Sequence, residues 1–150
     1  YYASRGLGDV YKRQGGHLTV AQLTAMLNTI PLEITFVDED NINRFFNEGP
    51  KDFKRPGMAI DREVFSCHPP KVEQQVRHII GEFRKGTLDK VPIWMEKNGK
   101  TMLVTYMAVR DAAGTYLGTM ELVQDMGFAK EHFLSDVKAK EAALRAGMED

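Results

Sequence analysis

The chain has 150 residues, 43% of them apolar and 27% charged, with a formal net charge of −1. These values suit one globular domain of ordinary size and exclude a disordered chain or the basic footprint of a nucleic-acid binder. The single cysteine, Cys67, excludes an internal disulfide and a cysteine-based zinc cluster. No apolar run approaches the roughly 18 residues that span a bilayer, and no signal peptide is visible, so a cytoplasmic location is expected.

The first fourteen residues, YYASRGLGDVYKRQ, carry no sustained hydrophobic period and do not lead into the pattern that follows. They resemble translated sequencing-adapter read-through and are set apart as a non-native leader, which would leave upstream sequence missing. The ordered part is expected to start with a flanking helix within residues 15–31. Thr19 and Gln22 form a capping-box pair, Val20, Leu23, Met26, Leu27 and Ile30 recur at helical spacing, and Pro31 ends the run.

The stretch LEITFVDEDNINRFFN then reads as two strands around a turn at DEDN. Pro50, Pro56 and Gly57 break the segment from Gly49 to His68, which is left with short helical turns. Pro69 and Pro70 open a helix over about residues 70–85, with Val72, Val76, Ile79, Ile80 and Phe83 in one stripe and Gly86 as its stop. Three strands follow, Val91 to Glu96, Lys100 to Arg110 and Thr115 to Gln124, joined by KNGK and DAAG as an antiparallel meander. A terminal helix carrying Phe133, Val137 and Leu144 closes the chain. Five antiparallel strands with helices on one face make an α+β arrangement.

DAAGTYLGTMELVQDM, residues 111–126, has Asp-x-x-Gly at the turn, a Gly near the strand start and an Asp at its end. In this, and in the order of its elements, the chain resembles a PAS domain over about residues 32–126, with residues 127–150 as an output helix. LTVAQLTAMLNTIPLEITFVDED (18–40) and CHPPK (67–71) resemble a narrower group, the PAS domains at the C-terminal end of proteins that also carry a hemerythrin-like region. The resemblance implies a sensory or interaction module without catalysis, and no catalytic constellation or metal-ligand cluster is visible. In the family an Asp-Ile-Thr motif couples sheet to output helix. Here Asp125 matches, while Met126 and Gly127 stand where Ile and Thr would be.

The family fold implies a small cavity between the long helix and the inner sheet face. Its candidate lining is Val72, Val76, Ile79, Ile80 and Phe83 from the helix, His68 at its mouth, and Ile93, Met95, Leu103, Met107 and Met120 from the sheet. Which parity of each strand faces inward is left open. Haem and flavin are the cofactors to weigh. His78 tempts a haem assignment but lies roughly 140° from the centre of the apolar stripe, on the solvent side. His68 is the better placed, and is expected chiefly to brace its loop. Cys67 stands near the reactive cysteine of flavin photoreceptors, yet FSCHPP lacks their Asn-Cys-Arg-Phe-Leu-Gln pattern, and Val123 replaces the flavin-binding Gln. A buried or redox-responsive thiol is expected there instead.

Residues 100–110 carry apolar groups on both faces, so the outer sheet face must be covered by the first helix or by a second subunit. The expected partners are therefore a small molecule in the cavity and a second copy of the chain, forming a homodimer through the N-terminal helix and outer sheet, with neither nucleic acid nor membrane. A ligand-free dimerisation scaffold with a filled core is the alternative, and a haem-dependent gas or redox sensor a third.

Overall fold

The computed structural model describes residues 10–13, 16–53 and 59–147. Its elements in chain order are β1 (Val10–Arg13), β2 (Gly16–Thr19), α1 (Val20–Thr29), β3 (Glu33–Asp38), β4 (Asn43–Phe46), a 3-10 turn (Val64–Cys67), α2 (Pro70–Lys85), β5 (Lys90–Lys97), β6 (Lys100–Arg110), β7 (Tyr116–Asp125) and α3 (Gly127–Ala146). Five strands form one antiparallel sheet in the order β4-β3-β7-β6-β5. The α+β arrangement read from the sequence is thus the one the chain adopts.

One expectation fails at the start. Val10–Arg13 lies inside the leader expected to lack regular structure, yet it pairs antiparallel with Gly16–Thr19 as a separate two-stranded sheet. Residues 1–9 and 14 of that leader fall outside the described residues.

The helix limits follow local chemistry. The Thr19 hydroxyl accepts from the Gln22 amide at 3.1 Å while the Gln22 side chain accepts from the Thr19 amide at 2.9 Å, closing a capping box on α1. Pro70 occupies the first turn of α2, where its missing N–H costs nothing, and Gly86 ends the helix with a left-handed φ of 75°. Glu73 in the first turn and Arg84 and Lys85 in the last complement the helix dipole.

The core lies between α2 and one face of the sheet. Val76, Ile79, Ile80 and Phe83 are buried at the i, i+3, i+4, i+7 spacing of one helix face. Phe83 is fully buried, whereas Val72, the first residue of the expected stripe, is exposed. A second cluster of Met102, Val104 and Val123, with Ile93, Met95 and Tyr106 packed on it, fills the space beneath the other end of the sheet.

The rest of the expected packing is not met within one chain. α1 has no buried residue, and Val20 and Met26 are half exposed, at 49% and 52%. α3 likewise has none, and Phe128, Phe133 and Leu144 are each about two-thirds exposed.

The exit from the sheet is built as a joint. The Met126 amide donates to the Thr101 carbonyl at 2.8 Å, and the Asp125 carboxylate accepts from the Gly127 amide at 2.8 Å. Asp125 therefore satisfies one of the orphan amides at the start of α3, where Met126 offers no side-chain cap. Asp125→Ala is expected to cost about 1 kcal/mol of helix-end stability and to speed amide hydrogen exchange over residues 127–140. Exchange that stays unchanged there would reduce Asp125 to a strand terminus.

Candidate ligand cavity

A cavity of about 250 Å³ lies between α2 and the inner face of the sheet. α2 supplies its apolar wall through Val76, Ile79 and Ile80, and the 3-10 turn adds Val64 and Cys67 and, just past its end, His68. The opposite wall comes from β3, β4, β6 and β7: Thr35, Val37, Asn43, Phe46, Tyr106, Thr119 and Glu121.

Register explains why these side chains meet. Thr35, Glu121 and Tyr106 lie on one rung across β3, β7 and β6, and Val37 and Thr119 lie on the rung two residues along. Side chains two residues apart share a face, so both rungs point at α2. The wall facing the apolar helix is therefore largely polar. Thr119 is held by the Tyr116 hydroxyl at 2.7 Å. Asn43 is anchored through its side-chain amide, which donates to the Arg62 carbonyl at 3.2 Å.

His68 braces the turn it ends. Its Nδ1 lies 2.8 Å from the Val64 carbonyl, which can only accept, so Nδ1 carries a proton and donates. Cys67 is exposed rather than buried, which corrects half of its expectation, and stands at the cavity mouth. His78 is exposed on the far side of α2, as its angular position requires. Among the described residues no group of three or more His, Cys, Asp or Glu could hold a metal ion.

The expected lining is thus partly assembled. His68, Val76, Ile79 and Ile80 border the cavity, while Phe83 is core beside it and Val72 faces solvent. Ile93 and Met95 are on the inner face but pack into the second cluster. Leu103, Met107 and Met120 are placed wrongly: each alternates with an inward residue and projects from the outer face. The polar rung is not found from the sequence because the inward parity of β7 is left open there and the apolar Met120 stands between Thr119 and Glu121. The signal available was the parity of β7, where Val123, Glu121 and Thr119 belong to one face.

A buried carboxylate lies elsewhere on that face. Glu33, 8% exposed, accepts from the Asp52 amide through one oxygen, while its other oxygen has no partner among the described residues. It borders a separate open cleft near the start of β3 rather than the cavity under α2.

The family model for the PAS domain matches residues 23–127. The chain is similar to the crystal structure of the C-terminal domain of a protein from Streptococcus mutans, at 39% identity and a TM-score of 0.77, with 83% of this chain and 97% of that one covered. It is similar in fold to the PAS domain of a protein from Colwellia psychrerythraea, at 15% identity and a TM-score of 0.51, covering 71% and 96% of the two chains. A sensory box sensor histidine kinase from Vibrio cholerae gives 12% identity and a TM-score of 0.51, covering 69% and 87%. No curated protein matches the chain.

Proposed function

The chain belongs to the PAS domain family, and on that footing we propose that it is a non-catalytic sensory module that takes a small ligand between α2 and the inner sheet face. The observation that carries this reading is the cavity itself. A core that only held the fold together would close on such a space, because unfilled volume beside buried apolar groups is destabilising. Here instead three aliphatic side chains face a rung of hydroxyl and carboxylate groups across about 250 Å³. That is the mixed lining of a ligand site: apolar surface for affinity and a few polar groups for orientation.

A second reading, pairing of two copies of the chain, rests on a different observation. Trp94 on the outer face of β5 is 61% exposed, Leu103, Met107 and Met120 share that face, and the apolar residues of α1 and α3 are largely uncovered. Apolar surface of this extent is characteristically covered by a partner. Pairing through α1 and the outer sheet would cover it without touching the cavity, so the two readings are compatible.

Native mass spectrometry of the purified chain tests both together. The expected spectrum is a dimer that retains a small-molecule mass, reduced to monomer by Met107→Glu together with Trp94→Lys. A monomer at all concentrations would remove the pairing, and a ligand-free spectrum that no candidate compound changes would favour a scaffold with an empty cavity. An absorption spectrum of fresh protein tests haem and flavin, and no visible band is expected. The blocks at 18–40 and 67–71 further lead us to place the domain at the C-terminal end of a cytoplasmic protein with a hemerythrin-like region. Sequencing the intact gene tests that placement.

A further inference from the structure

We propose that the cavity takes a ligand of single-ring size whose polar edge is amide-like, a hydrogen-bond donor beside an acceptor, and that Asn43 and the Thr35 hydroxyl read that edge. This rests on the reading of the cavity as a ligand site and adds the chemistry of what enters it.

Thr35 and Asn43 are only 7% and 6% exposed, and both line the cavity. The Thr35 hydroxyl has no hydrogen-bond partner among the described residues. Asn43 spends one N–H of its side-chain amide on the Arg62 carbonyl, and because a carbonyl only accepts, Nδ2 must lie on that side. Its Oδ1 and its second N–H are unspent among the described residues. A polar group buried without a partner is destabilising, and folded proteins rarely keep one without a use for it. Here two stand on one cavity wall. Thr119 differs from them, since its hydroxyl is already engaged by Tyr116.

Both groups are also held still. Thr35 stands on β3, between β4 and β7 in the sheet, and the backbone of Asn43 donates to the Arg62 carbonyl and accepts from the Asp61 amide. Asn43 pairs with Val37, two residues along β3 from Thr35, so the roots of the two side chains are roughly 7 Å apart. One planar ligand group can meet both. Asn43 presents an acceptor and a donor from a single amide, the complement of a carboxamide or lactam, and the Thr35 hydroxyl donates or accepts as the remaining position requires. Size narrows the class further. An apolar cavity of about 150 Å³ holds benzene, so the roughly 250 Å³ available here admits one ring with a short substituent, its face on Val76, Ile79 and Ile80.

Benzamide, acetophenone and α-methylstyrene test this directly. They are nearly isosteric and carry, in turn, a donor beside an acceptor, an acceptor alone, and neither. Titration of methyl-labelled protein, followed at Ile79 and Ile80, is expected to show benzamide binding about tenfold tighter than acetophenone, because a site with a waiting acceptor discriminates against a ligand that lacks the donor. Thr35→Val keeps the shape of the side chain and removes its hydroxyl. It is expected to weaken benzamide about fivefold, the usual scale of one neutral hydrogen bond, to leave α-methylstyrene unchanged, and not to lower the melting temperature. Acetophenone binding as tightly as benzamide, or benzamide indifferent to Thr35→Val, would overturn the amide assignment while α-methylstyrene binding upheld the cavity, its polar wall then serving water alone. A marked loss of melting temperature in Thr35→Val would overturn it too, by showing the hydroxyl to be spent within the fold. If none of the three compounds moved the Ile79 and Ile80 methyls, the cavity reading would fall together with it.

Discussion

Val76→Trp is expected to abolish small-molecule binding while leaving the domain folded. Val76 is 4% exposed and stands in the wall of the cavity, one helical turn from Ile79 and Ile80. An indole at this position extends into space that is otherwise open to a ligand. Overpacking a full core costs about 1–3 kcal/mol, and the cost here should lie at the low end because the added atoms have somewhere to go. The pair of readouts makes the test decisive. Lost binding with a small change in melting temperature supports a ligand site, whereas a large loss of stability with nothing bound by the parent describes a filled scaffold.

A larger effect on stability is expected at Gly118. Its φ of 155° places it near the start of β7, opposite Asp38 on β3 and Val109 on β6. A Cβ there would lie 2.2 Å from the Val37 carbonyl oxygen and 2.7 Å from the Phe36 ring. The first of these is backbone of the paired strand and cannot swing away. Gly118→Ala must therefore push β7 from β3 at the centre of the sheet, in addition to straining the backbone. A loss of about 3 kcal/mol or more follows, the sum of a strained φ and a forced shift of packed backbone. For a chain of this size that lowers the melting temperature by roughly 10 °C. An unchanged melting curve would show that β3 and β7 part without penalty and that their pairing does not hold the sheet together.

What could be read from the residues follows from how each feature is encoded. The limits of α1 and α2 were legible because capping and termination are local: Thr19 with Gln22, Pro70 and Gly86 act within a turn of themselves. The turn before β7 was legible for the same reason. Gly114 has φ 84°, and the Asp111 carboxylate accepts from the amides of Ala113 and Thr115.

The inward face of the sheet was not legible. β6 is apolar on both faces, so Met102, Val104 and Tyr106 give no contrast with Leu103 and Met107. On β7 the contrast points the wrong way, since the inward residues Thr119 and Glu121 are polar and the outward Met120 is not. A binding site breaks the rule that polar residues face water, and it is there that patterning misplaced the lining. The exposure of α1 was equally hidden. An amphipathic period says that a face is to be covered, without saying whether by the same chain or another.

The strand order carries a consequence for how the protein comes to be made. Beyond its hairpin neighbour β4, β3 finds its second partner only in β7, so that Ile34 pairs with Leu122 across most of the domain's sequence. During synthesis the β3–β4 hairpin and the β5–β6 hairpin can each form early, but they remain two unjoined halves with bare edges until the residues near 125 have left the ribosome. Closing a loop of that length is slow, and an unpaired strand edge is a template for the wrong neighbour while it waits. A chain released before the last strand would not be a smaller version of this domain. It would be the two hairpins of the five-stranded sheet and their helices without the strand that joins them, and therefore a substrate for chaperones and proteases.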